Sequence, residues 1–185
     1  PELKQAGYDM VIIEGKAEKP VYLWIKDGNV EIRDAQHLWG EKTIHIEQVM
    51  KQETDQKARV LNIGPAGVKL SRIANVMFDA YRAAGRSGVG TVLGSKNFLG
   101  IAVRGTKKVE LFDPAETKQA VAEARKLLKK SEITNVNLPK YGTAIMVNII
   151  NERGGYPVRN AQDAYDADAG VTGGEEIADK ILIKK

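Results

Sequence analysis

Arg82 and Arg86 lie four residues apart in the stretch RAAGRSGVG, residues 82–90, where Gly85, Gly88 and Gly90 also fall. A guanidinium is charged at every physiological pH and presents a planar fork of donors that matches phosphate or carboxylate. Glycine lets backbone amides approach an anion without a Cβ in the way. A helix starting near Gly88 would add the partial positive charge of its N-terminus. Each charge-assisted hydrogen bond contributes about 1.5–3 kcal/mol, so two arginines and a few amides suffice to anchor a phosphate-bearing ligand. The competing reading of the same residues is a loop with solvated arginines. Two familiar phosphate motifs are excluded. A dinucleotide fingerprint needs glycine where Leu93 stands, and a P-loop needs lysine where Thr91 follows Gly90.

Other chemistry-bearing residues are sparse. The two histidines, His37 and His45, are eight apart with no cysteine between them, which reads as a surface or structural role. Asp163, Asp166 and Asp168 form an acidic cluster without the glycine and distal glutamate of an EF-hand, and read as a solvated loop. Lys126, Lys129 and Lys130 sit at the end of an expected helix, where cations suit the dipole without any partner. The absence of cysteine excludes disulfides and cysteine-held clusters within these 185 residues, and fits a reducing cytoplasm.

The elements that position these residues follow from pattern. Residues 8–15, YDMVIIEG, read as a strand. Residues 21–25 and 30–33 read as a hairpin about Asp27-Gly28, a pair suited to the positive φ angles of a tight primed turn. Ile46, Val49 and Met50 place a helix within 41–54, and residues 58–64 return to strand. The segment 65–86 fits either a helix through Leu70, Ile73, Ala74, Met77 and Tyr81 or a short buried strand over 73–78. A short helix after the glycines and a strand over 97–105 follow. Asp113-Pro114 opens a helix through Lys130, and a second covers 141–153, stopped by Gly154-Gly155. Residues 156–174 lack periodicity, and ILIKK closes the sequence. Strands dominate the first part and helices the second, which argues an α+β fold with a sheet-rich portion over 1–112 and a helical and loop portion over 113–185.

The composition is that of a globular chain. Hydrophobic residues make up 43% and charged residues 28%, with 28 basic and 24 acidic side chains well mixed, leaving no nucleic-acid footprint. Aromatics at 6% are too few for a base-stacking platform, and no apolar run approaches the ~20 residues of a membrane span. The start at Pro1 rather than Met leads us to expect a trimmed, processed or excised piece.

Several stretches taken together resemble one family. GYDMVIIEGKAEKPVYLWIKDGNVEIRDAQHLWG, NIGPAG, RAAGRSGVGTVLGSKNFLGIAVRG and YPVRN are similar, in order and spacing, to the aldehyde ferredoxin oxidoreductases. The resemblance is strong over 7–105 and looser to about 160. It implies an N-terminal α+β base of sheets carrying a tungsten bis-pterin cofactor, with two largely helical domains above it. It further implies oxidation of aldehydes to carboxylic acids, with electrons leaving through a four-iron cluster to ferredoxin. Arg82, Ala83, Gly85 and Arg86 match family positions that touch the pterin, Ala83 through a main-chain carbonyl on a magnesium ion bridging the two pterin phosphates. The family's early glycine-rich contacts and its cysteine motif have no counterpart in these residues, so the cluster would belong to a missing downstream part. We therefore expect a fragment or one half of a split enzyme, inactive alone, that needs the remainder of the enzyme or a partner subunit and otherwise self-associates or rearranges its strands. The alternatives are an aromatic thioester reductase of the same family, a non-catalytic phosphate-binding or assembly module, and a remnant without a ligand.

Overall fold

A computed structural model describes residues 1–169. The chain divides into two units, Pro1–Glu110 and Leu111–Lys185. The first holds a mixed six-stranded sheet in the order β2-β1-β6-β3-β4-β5. Its strands are β1 (Val21–Lys26), β2 (Asn29–Asp34), β3 (Arg59–Asn62), β4 (Val76–Phe78), β5 (Arg82–Ala84) and β6 (Phe98–Arg104), and its helices are α1 (Glu2–Gln5), α2 (Thr43–Glu53), α3 (Pro65–Val68) and α4 (Val89–Ser95). The architecture is α+β, as the segregation of patterns suggested. β1 and β6 run parallel, and the other neighbours are antiparallel.

The β1–β2 hairpin forms where Asp27-Gly28 predicted it, with φ of 48° and 99° at the two turn residues. One face of the sheet is closed by α2. Tyr22, Trp24, Val60 and Ala102 from the strands pack with Ile46 and Met50 from the helix and Leu38 from the preceding turn, all buried. Alternation along each strand delivers these side chains to the same side.

The end of α2 is fastened to the hairpin by one carboxylate. Glu53 Oε2 accepts from the Tyr22 hydroxyl at 2.9 Å, and its Oε1 lies 2.7 Å from His37 Nε2. Arg33, stacked 5.9 Å from the Trp24 ring, donates to the Glu53 carbonyl at 2.8 Å. Burial pushes the Tyr22 phenol up, Arg33 pulls it down and the Glu53 carboxylate pushes it up again, with a net rise. Histidine His37 thus has the structural role its isolation in the sequence implied, and His45 is exposed. Glu53→Ala leaves the Tyr22 hydroxyl without its acceptor and is expected to destabilise the chain by about 1–3 kcal/mol in urea unfolding. Retention of the wild-type midpoint would remove the clamp from the stability argument.

A second carboxylate ties α1 to the end of β6. Glu2 Oε1 accepts from Arg104 at 2.6 Å and from the Gly105 amide at 3.0 Å. Burial alone would raise the Glu2 pKa, but the Gly105 amide and the Arg104 guanidinium outweigh it and hold the carboxyl below its ordinary value. A folded-state value below the unfolded one gives stability that is present above the unfolded value and lost as pH falls through the folded one. Glu2→Gln should therefore lower stability at neutral pH, flatten the further loss below about pH 4.3, the ordinary glutamate value, and leave the slope of the neutral-to-alkaline limb unchanged. Urea midpoints measured across that range check it.

Two readings are corrected. Residues 8–15 form no strand. Val11 turns inward against Ala6, Ile25 and Val103, whereas Met10 and Ile12 are exposed. The alternation is real, but no neighbouring strand lies alongside to complete a ladder. In 65–86 the helical alternative fails. A single helical turn, α3, is followed by β4 and then by β5, which the sequence did not suggest.

In the second unit, α5 (Pro114–Lys130) begins where Asp113-Pro114 predicted, its Asp113 carboxylate accepting from the Glu116 amide at 2.8 Å. α6 (Leu138–Tyr141), a 3-10 turn over Gly142–Ile145 and α7 (Met146–Glu152) replace the single helix expected over 141–153. The chain then turns at Gly154, φ 65°. ILIKK and the end of the polar segment lie outside the described residues. Among the described residues no helix is long and apolar enough to cross a membrane.

Candidate functional site

The arginine–glycine stretch occupies the free edge of the sheet. β4 and β5 form a hairpin in which Val76 opposes Ala84, Met77 opposes Ala83 and Phe78 opposes Arg82. The direction of each backbone group follows from the neighbouring ladder. The Asp79 amide donates to the Val60 carbonyl at 3.0 Å, so 60 and 79 occupy a hydrogen-bonding position, and so, two residues along, do Asn62 and Met77. Met77 therefore spends its N–H and C=O on β3. Val76 and Phe78 point theirs at Ala84 and Arg82, and the N–H and C=O of Ala83 face outward from the edge.

Around that carbonyl, Arg82, Ala83, Gly85 and Arg86 are all exposed. Neither guanidinium makes a hydrogen bond or an ion pair with any described residue. Ala84 alone turns inward, against the core. The hairpin base is fixed by Asp79, whose carboxylate accepts from the Val60 amide at 3.2 Å and pairs with Arg59 at 3.4 Å. A Cβ built on Gly85 would meet nothing within 4 Å.

The other glycines serve a different purpose from the one their spacing suggested. A Cβ on Gly88 would stand 2.2 Å from the Arg72 carbonyl oxygen, one on Gly90 2.3 Å from that of Asn75, and one on Gly94 2.0 Å from that of Gly67. Ser87 and Gly88 are both left-handed, φ 68° and 64°, and turn the chain directly into α4. The Gly90 amide is donated to the Ala74 carbonyl at 3.0 Å and that of Thr91 to Gly88 at 3.0 Å. These glycines let α4 lie against the backbone of 67–75, and two of the amides read as anion donors are already spent.

Among the remaining candidates Asp168 is exposed, while Asp163 and Asp166 are half-buried and the Asp166 backbone is held by the buried Asn151 amide. Asp163 pairs with Arg159, and Asp166 accepts from the Asp168 amide at 3.0 Å. Among the described residues no three His, Cys, Asp or Glu side chains gather in a metal-binding group.

The free edge of the sheet thus carries the exposed residues Arg82, Ala83, Gly85 and Arg86, on an α+β base. The chain belongs to the aldehyde ferredoxin oxidoreductase family. Residues 1–105 match the aldehyde ferredoxin oxidoreductase N-terminal domain, and residues 119–185 match domains 2 and 3 of the same family. It is 48% identical over 184 residues to the tungsten-containing aldehyde ferredoxin oxidoreductase of Pyrococcus furiosus and 50% identical to that of Pyrococcus abyssi, in each case over 99% of this chain and 30% of the relative. It is also 34% identical, over 89% of the chain and 28% of the relative, to the WOR-like subunit of an aliphatic sulfonate oxidoreductase of Pyrococcus furiosus. Among solved structures, the active site complex BamBC of benzoyl coenzyme A reductase superposes with a TM-score of 0.75 at 31% identity, over 97% of this chain and 29% of that one. The chain thus spans about a third of the length of the relatives it matches.

Proposed function

We propose that this chain is the tungstopterin-binding portion of an aldehyde:ferredoxin oxidoreductase. The observation that carries the reading is the outward Ala83 carbonyl on an edge that also holds the exposed, unpaired side chains of Arg82 and Arg86, in a chain about half identical to tungsten-containing enzymes. The residues fit the group. An outward carbonyl is a hard oxygen donor suited to magnesium, which prefers oxygen ligands and phosphate partners. The guanidiniums match the phosphates, and the open space at Gly85 lets a ring system approach the backbone. Arg82, Gly85 and Arg86 would hold the pterin phosphates and rim, and Ala83 the bridging magnesium.

Bound tungstopterin supplies the two-electron redox chemistry, in which an aldehyde and water give a carboxylate, three protons and two electrons. The chain's own part is to bind and orient, and no catalytic residue is assigned within it. The four-iron cluster, the route to ferredoxin and the substrate pocket belong to polypeptide outside these residues, so the isolated chain is expected to show no dye-linked aldehyde oxidation. Turnover by the isolated 185 residues would contradict this division of labour, and absence of tungsten and pterin from a native assembly carrying them would contradict the class.

A second reading rests on the benzoyl coenzyme A reductase complex, whose superposed portion is 31% identical to this chain. Under it the same edge holds the same cofactor, and the assembled enzyme reduces an aromatic thioester. Assaying the native assembly with aldehydes and with aromatic thioesters separates the two.

A further inference from the structure

Asp27-Gly28, the pair that turns the β1–β2 hairpin, is the only Asp-Gly or Asn-Gly sequence in the 185 residues. Such pairs are the ones most prone to backbone isomerisation, because glycine leaves its amide nitrogen unshielded by a side chain. That nitrogen attacks Cγ of the preceding aspartic acid. The new N–Cγ bond closes a five-membered succinimide, and one carboxyl oxygen leaves as water with the acid proton and the amide proton. Water adding back at Cγ restores aspartate. Water adding at the main-chain carbonyl yields isoaspartate, whose backbone runs through Cβ and Cγ. Ring closure uses the protonated carboxyl, since a carboxylate is a poor electrophile with no good leaving group.

The fold engages both oxygens of this carboxylate. The Thr106 amide donates to Asp27 Oδ1 at 2.7 Å and the Thr106 hydroxyl donates to Oδ2 at 2.7 Å, from 79 residues away in the chain. Donors on a carboxylate favour its charged form. The Thr106 amide and hydroxyl hold the Asp27 carboxyl below its ordinary value, with smaller help from the Lys107 and Lys26 cations. The turn backbone is pinned as well. The Asp27 amide donates to the Arg104 carbonyl at 3.3 Å, and the Gly28 carbonyl accepts from the Tyr8 hydroxyl at 2.6 Å. Lys26 and Asn29 pair directly across the turn, so the hairpin has no slack for the extra backbone carbon of isoaspartate.

We propose that Asp27 is a latent site of spontaneous isoaspartate formation, and that Thr106 keeps it closed by holding both carboxyl oxygens. The two bonds act in two ways. They favour the unreactive ionised side chain, and they resist the rotation about Cα–Cβ that would bring Cγ onto the Gly28 nitrogen. The chemical lifetime of the hairpin turn is thus set by a residue that follows β6, on the other side of β1 from β2.

Isoaspartate at position 27 is followed by peptide mapping in the native polypeptide or complex that contains residues 1–185, heated below its unfolding midpoint. A synthetic peptide of residues 24–31 gives the unrestrained rate. The folded chain should isomerise at least about 10-fold more slowly than the peptide, and Thr106→Val about 3- to 10-fold faster than wild type, because one of two hydrogen bonds to a charged group is lost. Thr106→Ser keeps the hydroxyl and should stay at the wild-type rate. Glu53→Ala weakens the fold away from the turn, controls for opening of the whole chain, and should also stay at the wild-type rate. Isomerisation of the folded chain at the peptide rate overturns the proposal. So does Thr106→Val as slow as wild type, or either Thr106→Ser or Glu53→Ala as fast as Thr106→Val. Thr106→Ala repeats the comparison if the valine variant misfolds. Cofactor content does not enter the readout, so this inference and the cofactor reading fail separately.

Discussion

Replacing Arg82 and Arg86 together by alanine in the native protein is expected to strip it of pterin and tungsten without unfolding it. Each guanidinium stands to make charge-assisted hydrogen bonds of about 1.5–3 kcal/mol, so each single change should weaken cofactor retention by about 10- to 100-fold and the double change by more. The fold has little to lose. Both side chains are exposed and without partners, and surface substitutions of that kind stay within about ±0.5 kcal/mol. Metal content by mass spectrometry, pterin fluorescence after oxidation and the urea midpoint of the cofactor-free protein separate binding from folding. Arginine-to-lysine changes at the same positions keep the charge and lose the fork, so they should retain an intermediate fraction of the cofactor. Full cofactor content in the double alanine variant would return the two arginines to the solvated loop that was the alternative reading of their spacing. A large fall in the cofactor-free midpoint would mean that they hold the hairpin instead.

Arg82, Gly85 and Arg86 were singled out by type and spacing and Ala83 only through the family resemblance, whereas the geometry of this edge had no sequence signal. That Ala83 points its carbonyl outward depends on a hydrogen-bonding phase set at Val60 and Asp79, passed through Met77 and inverted across β4. No local pattern at 82–86 encodes it. The hairpin at Asp27-Gly28 and the start of α5 at Asp113-Pro114 were legible because each is decided by residues adjacent in sequence, through positive φ in one case and a capping carboxylate in the other. β4 and β5 are three residues each, too short to show an alternation, and they exist because β3 offers Val76–Phe78 a partner. Residues 8–15 fail in the opposite sense. Their alternation correctly turns Val11 inward, but a strand also requires a neighbour's backbone, which hydrophobic pattern cannot supply.

Glycine is where sequence reading and structure part most clearly, and the difference predicts opposite outcomes for one chemical change. Gly100 lies in β6, at the centre of the sheet, and a Cβ there would stand 2.0 Å from the Leu61 carbonyl oxygen and 2.9 Å from the Asn62 Cα. Both are backbone atoms of the adjacent strand and cannot swing aside as a side chain would. Gly94→Ala meets the Gly67 carbonyl oxygen at the same 2.0 Å and would lift α4 from the segment beneath it. Each of these substitutions is expected to cost at least the ~1–3 kcal/mol typical of overpacking. Gly100→Ala should cost more, because the strands on either side of β6 are displaced with it. Gly85→Ala has open space and no positive φ, and should leave stability within about ±0.5 kcal/mol while lowering pterin retention, since the new methyl group stands where the ring system would approach. Urea midpoints of the three cofactor-free variants, set beside pterin content of the three as purified, test both halves. Stability falling at Gly85 as it does at Gly94 would show that the whole glycine run is packing, and an unperturbed Gly100→Ala would show that β6 and β3 are not held as closely as their register requires.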